Sequence, residues 1–446
     1  MNLPDKARGS RSYRRYLLTV LMFVLAFNFA DRLALGVVLQ DIKVDLHLSD
    51  TELGFMSGIA FALFYSLMGI PIARWADRGN RVAIISLSVT IWSILVVACG
   101  FARSFLQLLA IRIGVGIGEA GCVPPSLSLI SDYFNRADRT SASATYMVGV
   151  PLSFLVGYFP AGWLNEAYGW RVTFMVLGLP GLGIALLAWF TLKEPRMSVS
   201  AGRRVATSMP RAASLVEVYT TLWKLRSFRH ILFSYAVLFF FSNGIIQWQP
   251  TFFVRSHGLQ TGELGNWFSL TYGVGGILGI YIGGRLASRY ARHNESLQLK
   301  ATSLIYAVLA AVSAAIYVTP NYRLAFAEIS VFTLGMYGTT GPLWATIQSV
   351  VPERTRATAI ATLYLFANLI GSGCGPLAIG ALSDFFTPWA GSESLRYVLL
   401  AASPGFLWGA WHLWRSSASV LQDIDDVCRG SSQTARSEYA MAVLDS

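Results

Sequence analysis

Charged residues are scarce in this chain. Only 13% of its 446 residues are Asp, Glu, Lys or Arg, and 54% are hydrophobic. A soluble globular domain carries about 25% charged residues, so the composition excludes that class. The four cysteines lie in apolar runs or near the C-terminal end. Their placement predicts neither a disulfide framework nor a zinc site.

Motifs for catalysis are also missing from the sequence. It has no His-rich or Asp-rich motif, no nucleophile-bearing motif and no P-loop with Gly-Lys-Ser/Thr. We therefore expect a protein that is not an enzyme, does not use ATP and holds no cofactor or metal.

The chain instead contains a series of apolar runs, each long enough to cross a bilayer. They predict twelve transmembrane helices, at 16–38, 52–73, 82–102, 105–130, 142–163, 170–192, 230–254, 263–286, 301–319, 324–349, 357–382 and 394–415. The expected fold is an all-α integral membrane protein in two pseudo-symmetric halves of six helices. The predicted parts are a first half at 1–195, a cytoplasmic linker at 196–226, a second half at 227–416 and a cytoplasmic tail at 417–446.

The chain has a net charge of +11, and the distribution of its basic residues indicates the membrane topology. Lys and Arg crowd the segment before the first span, the loops after the second, fourth and eighth spans, and the central linker. The opposite loops are sparse or acidic. Since basic loops stay in the cytoplasm, we expect both termini there, in a multi-pass protein of the cell membrane (the inner membrane if bacterial). The charge thus indicates a lipid bilayer as partner and no nucleic acid, and we expect a monomer.

Four ionisable residues lie inside otherwise apolar spans, namely Asp31, Arg32, Arg112 and Glu119. Each such charge costs roughly 2.5–3.5 kcal/mol at a helix centre, so these side chains should face a protein interior or a wet cavity. Asn28 shares a helix face with Asp31 and Arg32. The pattern predicts a transporter with an ion-coupling or substrate site in its first half.

Asp31 and Glu119 are the predicted proton-coupling residues, and Arg32 and Arg112 are their predicted charge partners or anion-binding groups. Burial favours the neutral acid and a nearby arginine favours the carboxylate, so an acid between these effects can take and release a proton. The alternative is a static ion pair that only fixes packing. Buried ion pairs stabilise poorly compared with apolar packing, which favours the functional interpretation.

The two halves repeat one another, since Thr-Glu-Leu-Gly at 51–54 matches Gly-Glu-Leu-Gly at 262–265. On this alignment the four in-span charges have no counterpart in the second half, whose polar groups are neutral and mixed with aromatic residues. These groups suit an amphiphilic ligand, although aromatic stripes also serve packing. The predicted substrate cavity comprises Asn28, Asn243, Gln247, Trp248, Tyr337, Trp344, Gln348, Tyr364 and Asn368.

The loop after the second span resembles the cytoplasmic signature of the major facilitator superfamily, a glycine followed by Ala-Asp-Arg-x-Gly-x-Arg. The resemblance implies a gate, with Gly69 allowing close helix approach, Gly79 a tight turn and Asp77 facing a helix N-terminus. An ordinary charged loop is the alternative. The predicted cytoplasmic gate comprises Gly69, Asp77, Arg78, Gly79, Arg81 and Arg139.

The runs Asn-Phe-Ala-Asp-Arg at 28–32, Arg-Ile-Gly-Val-Gly-Ile-Gly-Glu-Ala-Gly at 112–121, Gly-Trp-Arg at 169–171 and Lys-Glu-Pro at 193–195 together resemble spinster-type transporters, a branch of that superfamily. The resemblance implies a 6+6 parallel repeat with its substrate site near the midplane. It also implies proton-linked movement of lysophospholipids or sphingolipid-like molecules.

The leading hypothesis is a proton-coupled secondary transporter that moves an amphiphilic or lipid-like anion by alternating access. Its rival is a carrier of small organic or sugar acids, or a drug exporter, because Arg32 and Arg112 suit any carboxylate or phosphate. A membrane enzyme or a signalling receptor is a different class. The internal repeat and the loop signature argue against both.

Overall fold

The computed structural model describes residues 10–195, 220, 222–291, 294–352, 355–427 and 429. These residues form helices joined by short connections and contain no strand. Most of the predicted linker at 196–226 and most of the tail lie outside the described residues.

The first six spans begin with a long helix that starts at Arg11, five residues before the predicted span. The helices are α1 (Arg11–Leu46), α2 (Asp50–Phe55), a π-helix (Met56–Ala60), α3 (Phe61–Arg78), α4 (Arg81–Cys99), α5 (Phe105–Glu119), α6 (Val123–Tyr133), α7 (Arg136–Met147) and α8 (Gly149–Thr191). Ser10, Ser49, Asn80 and Ser104 cap the N-termini of α1, α2, α4 and α5 with their side chains.

The second six spans follow the same pattern of long and interrupted helices. They are α9 (Arg226–His257), α10 (Thr261–Phe268), a π-helix (Ser269–Val274), α11 (Gly275–Tyr290), α12 (Glu295–Val318), α13 (Tyr322–Gly338), α14 (Thr340–Val350), α15 (Arg356–Phe366), a π-helix (Ala367–Cys374), α16 (Gly375–Ala390), a 3₁₀ turn (Gly391–Glu393), α17 (Ser394–Ala402) and α18 (Gly405–Ser417).

Eight helical segments among the described residues are long and apolar enough to cross a membrane. Two of these segments are longer than the others: Ser141–Thr191 has 51 residues and Thr358–Ser417 has 60. One span needs roughly 20 residues, so each of the two segments contains two spans. The helical stretches 261–290 and 322–350 supply the remaining two predicted spans. The prediction of twelve spans is therefore confirmed.

Gly169 separates the fifth and sixth spans inside the continuous α8. Its φ of 78° lies in the left-handed region and breaks the helical dihedrals at this residue alone. A residue with a side chain would be strained there. Trp170, the next residue, is buried and holds the start of the sixth span in the core.

The chain forms two compact units that do not coincide with the sequence halves. The first contains residues 1–207, 243–275 and 372–399, and the second contains 208–242, 276–371 and 400–446. Within the first unit α1 packs along α8, α4 packs on α8 and α5, and α2 packs on α16. Within the second unit α12 packs on α18, α13 and α14.

Small residues allow these helices to approach closely. In the first unit a side-chain carbon at Gly157 would lie 2.8 Å from the Ala30 carbonyl oxygen, and one at Gly265 would lie 2.6 Å from that of Tyr158. Either would clash with backbone that cannot move aside. These contacts bring α1 and α10 against α8, as small residues do in membrane helix pairs.

Candidate functional site

Two ion pairs cross between α1 and α5. The Arg112 Nη1 donates to Asp31 Oδ2 at 2.9 Å, and the Arg32 Nε donates to Glu119 Oε2 at 2.8 Å. Arg32 also donates to the same carboxylate through its Nη2. The acid of α1 thus pairs with the arginine of α5, and the arginine of α1 pairs with the acid of α5. The structure brings together all four charges predicted from the sequence.

The four side chains differ in their access to the surface. Glu119 is fully buried, Arg112 is 1% exposed and Asp31 is 5% exposed, whereas the side chain of Arg32 is 19% exposed. Two carboxylates and two guanidinium groups have no net charge when both acids are ionised. One oxygen of each acid, Asp31 Oδ1 and Glu119 Oε1, is buried without a hydrogen-bond partner among the described residues. Each acid can therefore still take up a proton, or accept a hydrogen bond from a water, at that oxygen.

Arg32 lies among three aromatic rings. Its guanidinium carbon is 4.4 Å from the ring centre of Phe61, 4.8 Å from that of Tyr65 and 4.9 Å from that of Phe29. Such contacts are worth about 0.5–2 kcal/mol each, more when desolvated. The rings hold the cation in place independently of Glu119. The sequence interpretation missed Phe61 and Tyr65, although their spacing of four residues places them on one face of α3.

Asn28 is fully buried one turn before Asp31. Its Nδ2 donates to the Glu119 carbonyl oxygen at 3.4 Å, and its Oδ1 has no partner among the described residues. This contact fixes the end of α5, where Glu119 is the last residue of the helix. Asn28 therefore positions the acid.

The remaining cavity residues predicted in the first unit have different surroundings. Gln247 is partly buried, its Nε2 has no partner among the described residues, and its backbone carbonyl lies against Gly36 of α1. Asn243, one turn earlier on α9, is partly buried. Trp248 was expected to line the cavity, but it is fully buried and donates to the Pro376 carbonyl oxygen at 2.8 Å. Because it offers no surface to a ligand, its predicted role is corrected to packing of α9 against α16.

The second unit contains an aromatic cluster formed by Tyr235, Phe239, Trp344 and Tyr364. The Trp344 and Tyr364 rings stack with their centres 5.2 Å apart. The Tyr235 ring meets the Trp344 ring edge-on at 5.7 Å and lies tilted against the Phe239 ring at 4.5 Å. Tyr364 is 41% exposed. The cluster thus combines an ordered apolar surface with access to it, and Tyr235 is a member that the sequence interpretation missed.

The other predicted cavity residues of this unit lie nearby in sequence. Asn368 donates to the Tyr364 carbonyl oxygen at 3.0 Å. Gln348 is exposed one turn after Trp344. Tyr337 packs against α11, where a side chain at Gly276 would meet its ring and one at Gly279 would meet its Cβ atom.

Arg81 of the predicted cytoplasmic gate is fully buried. It forms an ion pair with Asp132 at 2.7 Å, donates to the Ser128 carbonyl oxygen at 3.0 Å and pairs with Glu194 through two guanidinium nitrogens. Its own backbone N–H also donates to Glu194 at 2.7 Å. These contacts tie the start of α4 to α6 and to the end of the sixth span. Glu194, in the Lys-Glu-Pro run, is a partner that the sequence interpretation did not assign.

The two glycines of the signature loop have different surroundings. No described atom lies within 4 Å of a side-chain carbon placed at Gly69, so the close helix approach predicted there is wrong for this structure. Gly79 lies at a bend in the two-residue connection between α3, which ends at Arg78, and α4, which begins at Arg81, and its φ of −101° and ψ of −176° are extended. A side chain at Gly79 would instead lie 2.9 Å from the Trp75 carbonyl oxygen.

The other three gate residues lie at the surface. Asp77 and Arg78 are exposed at the end of α3. Arg139 is also exposed and donates to the Ser131 carbonyl oxygen at 2.8 Å. The loop therefore combines one buried anchor, Arg81, with exposed charges.

Asp50 is the centre of a second buried charge cluster that the sequence interpretation missed. It is fully buried, pairs with Lys43 at 2.6 Å and receives two hydrogen bonds from Arg255 at 2.7 Å each. Ser383 donates to it at 2.7 Å. The neighbouring Asp384 accepts from the backbone N–H groups of residues 50 and 51 at 3.0 and 2.7 Å, at the N-terminus of α2. These contacts, here named the Asp50 cluster, join α1 and α2 to α9 and α16.

The predicted helix ends explain this omission. The seventh and eleventh spans were placed at 230–254 and 357–382, whereas α9 continues to His257 and α16 to Ala390. Arg255 and Asp384 therefore lie within helices. The conclusion that charge is confined to the first-half spans is corrected accordingly.

Comparison with known proteins identifies relatives over nearly the whole chain. The family described as Major Facilitator Superfamily matches residues 21–376. An MFS-type efflux pump of Mycolicibacterium smegmatis is 31% identical over 92% of this chain and 94% of its own length. The cis,cis-muconate transport protein of Acinetobacter baylyi is 26% identical over 89% and 92%. A bacterial homologue of the human lysosomal transporter spinster, solved inward-facing and unoccupied, superposes with a TM-score of 0.80 at 29% identity and covers 93% of this chain and 99% of its own.

Proposed function

Since the chain belongs to the major facilitator superfamily and is a spinster-type, multi-pass membrane transporter rather than an enzyme, we propose that it couples a proton on Glu119 to an anionic substrate on Arg32. The observation that carries this proposal is the pairing of a fully buried acid with a partly exposed arginine. During alternating access, Glu119 can exchange Arg32 for a proton from the protein interior, and Arg32 can exchange Glu119 for an anion from the substrate cavity.

Electrostatics links the two binding events. When Glu119 is ionised, it neutralises Arg32, and the site has no charge to offer an anion. A proton on Glu119 removes that charge and leaves Arg32 as an unpaired cation held by the rings of Phe29, Phe61 and Tyr65. An anionic group then completes its charge and hydrogen bonding. Proton and anion therefore bind cooperatively and cross in the same direction.

Asp31 and Arg112 support this exchange from the interior. Both are almost fully buried, so their pair keeps Arg112 neutralised beside Glu119 on α5. Without Asp31, the Arg112 cation would hold Glu119 in its ionised form. Of the two predicted proton carriers, we assign the coupled proton to Glu119, because its partner Arg32 is the arginine that reaches the surface. Asp31 is the second candidate.

The Asp50 cluster supplies a gate for this cycle. On the topology expected from the loop charges, it lies on the outer side of the membrane, and the Arg81 anchor lies on the cytoplasmic side. Access from outside requires α9 and α16 to leave α1 and α2, which breaks the pair of Asp50 with Arg255. Breaking a buried pair of this kind costs about 3–5 kcal/mol, so substrate and proton binding must contribute to opening it.

The substrate class that we propose is an amphiphilic, lipid-like anion. Arg32 suits its charged group, and the rings of Phe29, Phe61 and Tyr65 around Arg32 suit the adjoining apolar part. The second unit, taken by itself, also presents an aromatic surface that suits an apolar ligand, formed by Tyr235, Phe239, Trp344 and Tyr364. A small organic acid is the second candidate, favoured by the similarity to the cis,cis-muconate carrier, since a carboxylate alone satisfies Arg32.

The test is uptake by the purified protein in liposomes with an imposed pH gradient. Lysophosphatidylglycerol serves as the amphiphilic anion and cis,cis-muconate as the small one. Accumulation of the lipid that collapses with the gradient supports the full proposal. Accumulation of muconate alone retains the coupling site and rejects the lipid substrate, and accumulation of either one without the gradient rejects proton coupling.

A further inference from the structure

The start of α9 and the end of α18 pack against each other in antiparallel directions within the second unit. The Ser234 hydroxyl donates to the Gly409 carbonyl oxygen at 2.9 Å, and the Ser416 hydroxyl donates to the Ser227 carbonyl oxygen at 3.1 Å. The two hydrogen bonds lie about two turns apart on both helices. They fix the register of the two helices, and therefore which side chains meet between them.

A pair of histidines lies between these two hydrogen bonds. His230 Nδ1 of α9 and His412 Nδ1 of α18 are 3.0 Å apart, so one ring donates to the other. Arg229, which precedes His230, and Arg415, one turn after His412, both interact electrostatically with His230. Four basic side chains from two helices are therefore close together at this end of the second unit.

The two arginines of this group keep an uncompensated charge. Neither Arg229 nor Arg415 forms an ion pair with an acid in the part of the chain that the structure describes. Asp423, the acid that contacts the start of α9, instead accepts hydrogen bonds from the N–H and the hydroxyl of Ser227 at 2.7 and 2.5 Å. An anion with several acceptor oxygens, such as a phosphate group, would satisfy both guanidinium groups.

Exposed aromatic rings lie beside the basic group. The guanidinium carbon of Arg229 is 5.9 Å from the ring centre of Trp223, and the Trp223 ring meets that of Phe233 edge-on at 6.2 Å. The Trp411 ring meets that of His230 edge-on at 6.0 Å. Trp223 is 54% exposed, Phe233 45% and Trp411 53%. These three rings and the four basic side chains, here named the α9–α18 surface, combine positive charge with accessible apolar area.

The position of this surface indicates which kind of ligand it meets. The predicted seventh span begins at 230 and the predicted twelfth span ends at 415, so the surface lies where both spans leave the hydrocarbon layer. Tryptophan is enriched at this level of a bilayer, and basic pockets between spans bind anionic head groups there. A free phosphate would leave the rings uncovered, and a neutral lipid would leave the arginines uncompensated. An anionic phospholipid satisfies both.

We propose that the α9–α18 surface binds a two-chain anionic phospholipid of the surrounding bilayer. Arg229 and Arg415 donate to its phosphate oxygens, and the rings of Trp223 and Trp411 contact the start of its acyl chains. The bound lipid joins α9 to α18 in addition to the histidine pair. The inference uses no residue of the proposed transport site and does not depend on the transported substrate.

The test is native mass spectrometry of the purified protein in detergent, titrated with dioleoylphosphatidylglycerol or dioleoylphosphatidylcholine. The wild type should bind the first phosphatidylglycerol at least tenfold more tightly than the first phosphatidylcholine. The double variant Arg229→Gln and Arg415→Gln should lose at least tenfold in affinity for phosphatidylglycerol. The matched control is Arg285→Gln with Arg289→Gln, at two exposed arginines that lie beside tyrosine rings on α11, and it should bind as the wild type does.

Four results would overturn the proposal. The first is equal affinity of the wild type for the two lipids, and the second is an equal loss in the double variant and in the control. The third is loss of phosphatidylglycerol binding in Arg32→Gln but not in the double variant, which would place the lipid in the transport site. The fourth is a dimer that the double variant dissociates, which would assign the surface to a second copy of the chain.

The exposed positions of the substituted arginines favour folding of the variants. If the double variant does not fold, Trp411→Leu replaces it, with an expected loss of about threefold in affinity for phosphatidylglycerol and no change for phosphatidylcholine. Unchanged affinity of Trp411→Leu for phosphatidylglycerol would then contradict the proposal. Because lipid binding is measured without a pH gradient, its failure leaves the proton-coupling proposal intact, and failure of coupled uptake leaves this site intact.

Discussion

Arg32 and Glu119 form an ion pair that spans the border between the buried interior and the accessible surface, because Glu119 is fully buried and the Arg32 side chain is 19% exposed. A static packing role for this pair gives no reason for the asymmetry. An exchange of partners does, since the acid can take a proton from within while the arginine receives an anion from the cavity.

The aromatic rings around Arg32 should contribute to anion binding. Tyr65→Leu removes a ring that lies 4.8 Å from the guanidinium, and we expect anion affinity to fall between about 2-fold and 30-fold, equivalent to about 0.5–2 kcal/mol. Tyr65→Phe keeps the ring and should bind nearly as wild type. Calorimetric titration with lysophosphatidylglycerol measures both. Equal losses in the two variants would show that the hydroxyl, and not the ring, matters.

Asp31 should be needed for coupling although it does not contact Arg32. Asp31→Asn keeps an acceptor for the Arg112 Nη1 but removes the negative charge, so Arg112 holds Glu119 ionised and Arg32 stays neutralised. We expect gradient-driven uptake in liposomes to be lost, with insertion and folding retained. Wild-type accumulation by this variant would exclude the assigned role of Asp31.

The aromatic cluster of the second unit should discriminate between the two candidate substrates. Trp344→Leu removes the ring that stacks on Tyr364 at 5.2 Å, worth about 0.5–1.5 kcal/mol beyond its buried area. Uptake of the lipid should fall several-fold, while any uptake of muconate should be unaffected. Trp344→Phe, which keeps a ring, is the matched control. A parallel fall for both substrates would assign Trp344 to folding.

The Asp50 cluster should hold its four helices together. Asp50→Asn leaves Lys43 and Arg255 without the buried carboxylate, and breaking such a pair costs about 3–5 kcal/mol. Amide hydrogen exchange at the start of α2 and the end of α9 should accelerate more than tenfold. Glu393→Gln removes the charge from a partly exposed pair with Arg396, worth about 0–1 kcal/mol. The glutamine can still accept from Ser256 of α9, so exchange should change little. Unaltered exchange in Asp50→Asn would exclude the gate.

The Arg81 anchor should contribute to stability. Glu194→Gln removes the carboxylate that receives two side-chain bonds and one backbone bond from Arg81. Asp132 still faces the cation, so we expect a loss below the full 3–5 kcal/mol of a broken buried pair, seen as a lower unfolding temperature in detergent. Asp132→Asn, at a partly exposed acid, should cost less. The reverse order would contradict the assignment of Glu194 as principal partner.

The sequence predicted most of the fold because membrane spans are set by hydropathy and length. It also predicted Asp31, Arg32, Arg112 and Glu119 as one group, since charge inside an apolar span needs a partner. It left open which acid pairs with which arginine, because this depends on the rotation and depth of α1 against α5. The crossed arrangement follows only from their packing.

Other features depended on contacts that a sequence does not specify. Arg255 and Asp384 lie in parts of α9 and α16 that extend beyond the apolar runs. The hydropathy pattern therefore did not predict their contacts with Asp50. Tryptophan is a residue type that often lines ligand cavities, but the close approach of α9 and α16 buries Trp248. Gly69 was assigned a close helix approach, yet no described atom of a neighbouring helix lies within 4 Å of a side-chain carbon placed there. Residue type alone does not reveal such surroundings.

The most direct test of proton–anion coupling is the pH dependence of lysophosphatidylglycerol binding to the wild type and to Glu119→Gln. Acidic pH protonates Glu119 and releases Arg32, so wild-type affinity should rise as pH falls. Glutamine imitates the protonated acid, so the variant should bind tightly at every pH. A variant that keeps the wild-type pH dependence would place the coupled proton elsewhere and contradict the account.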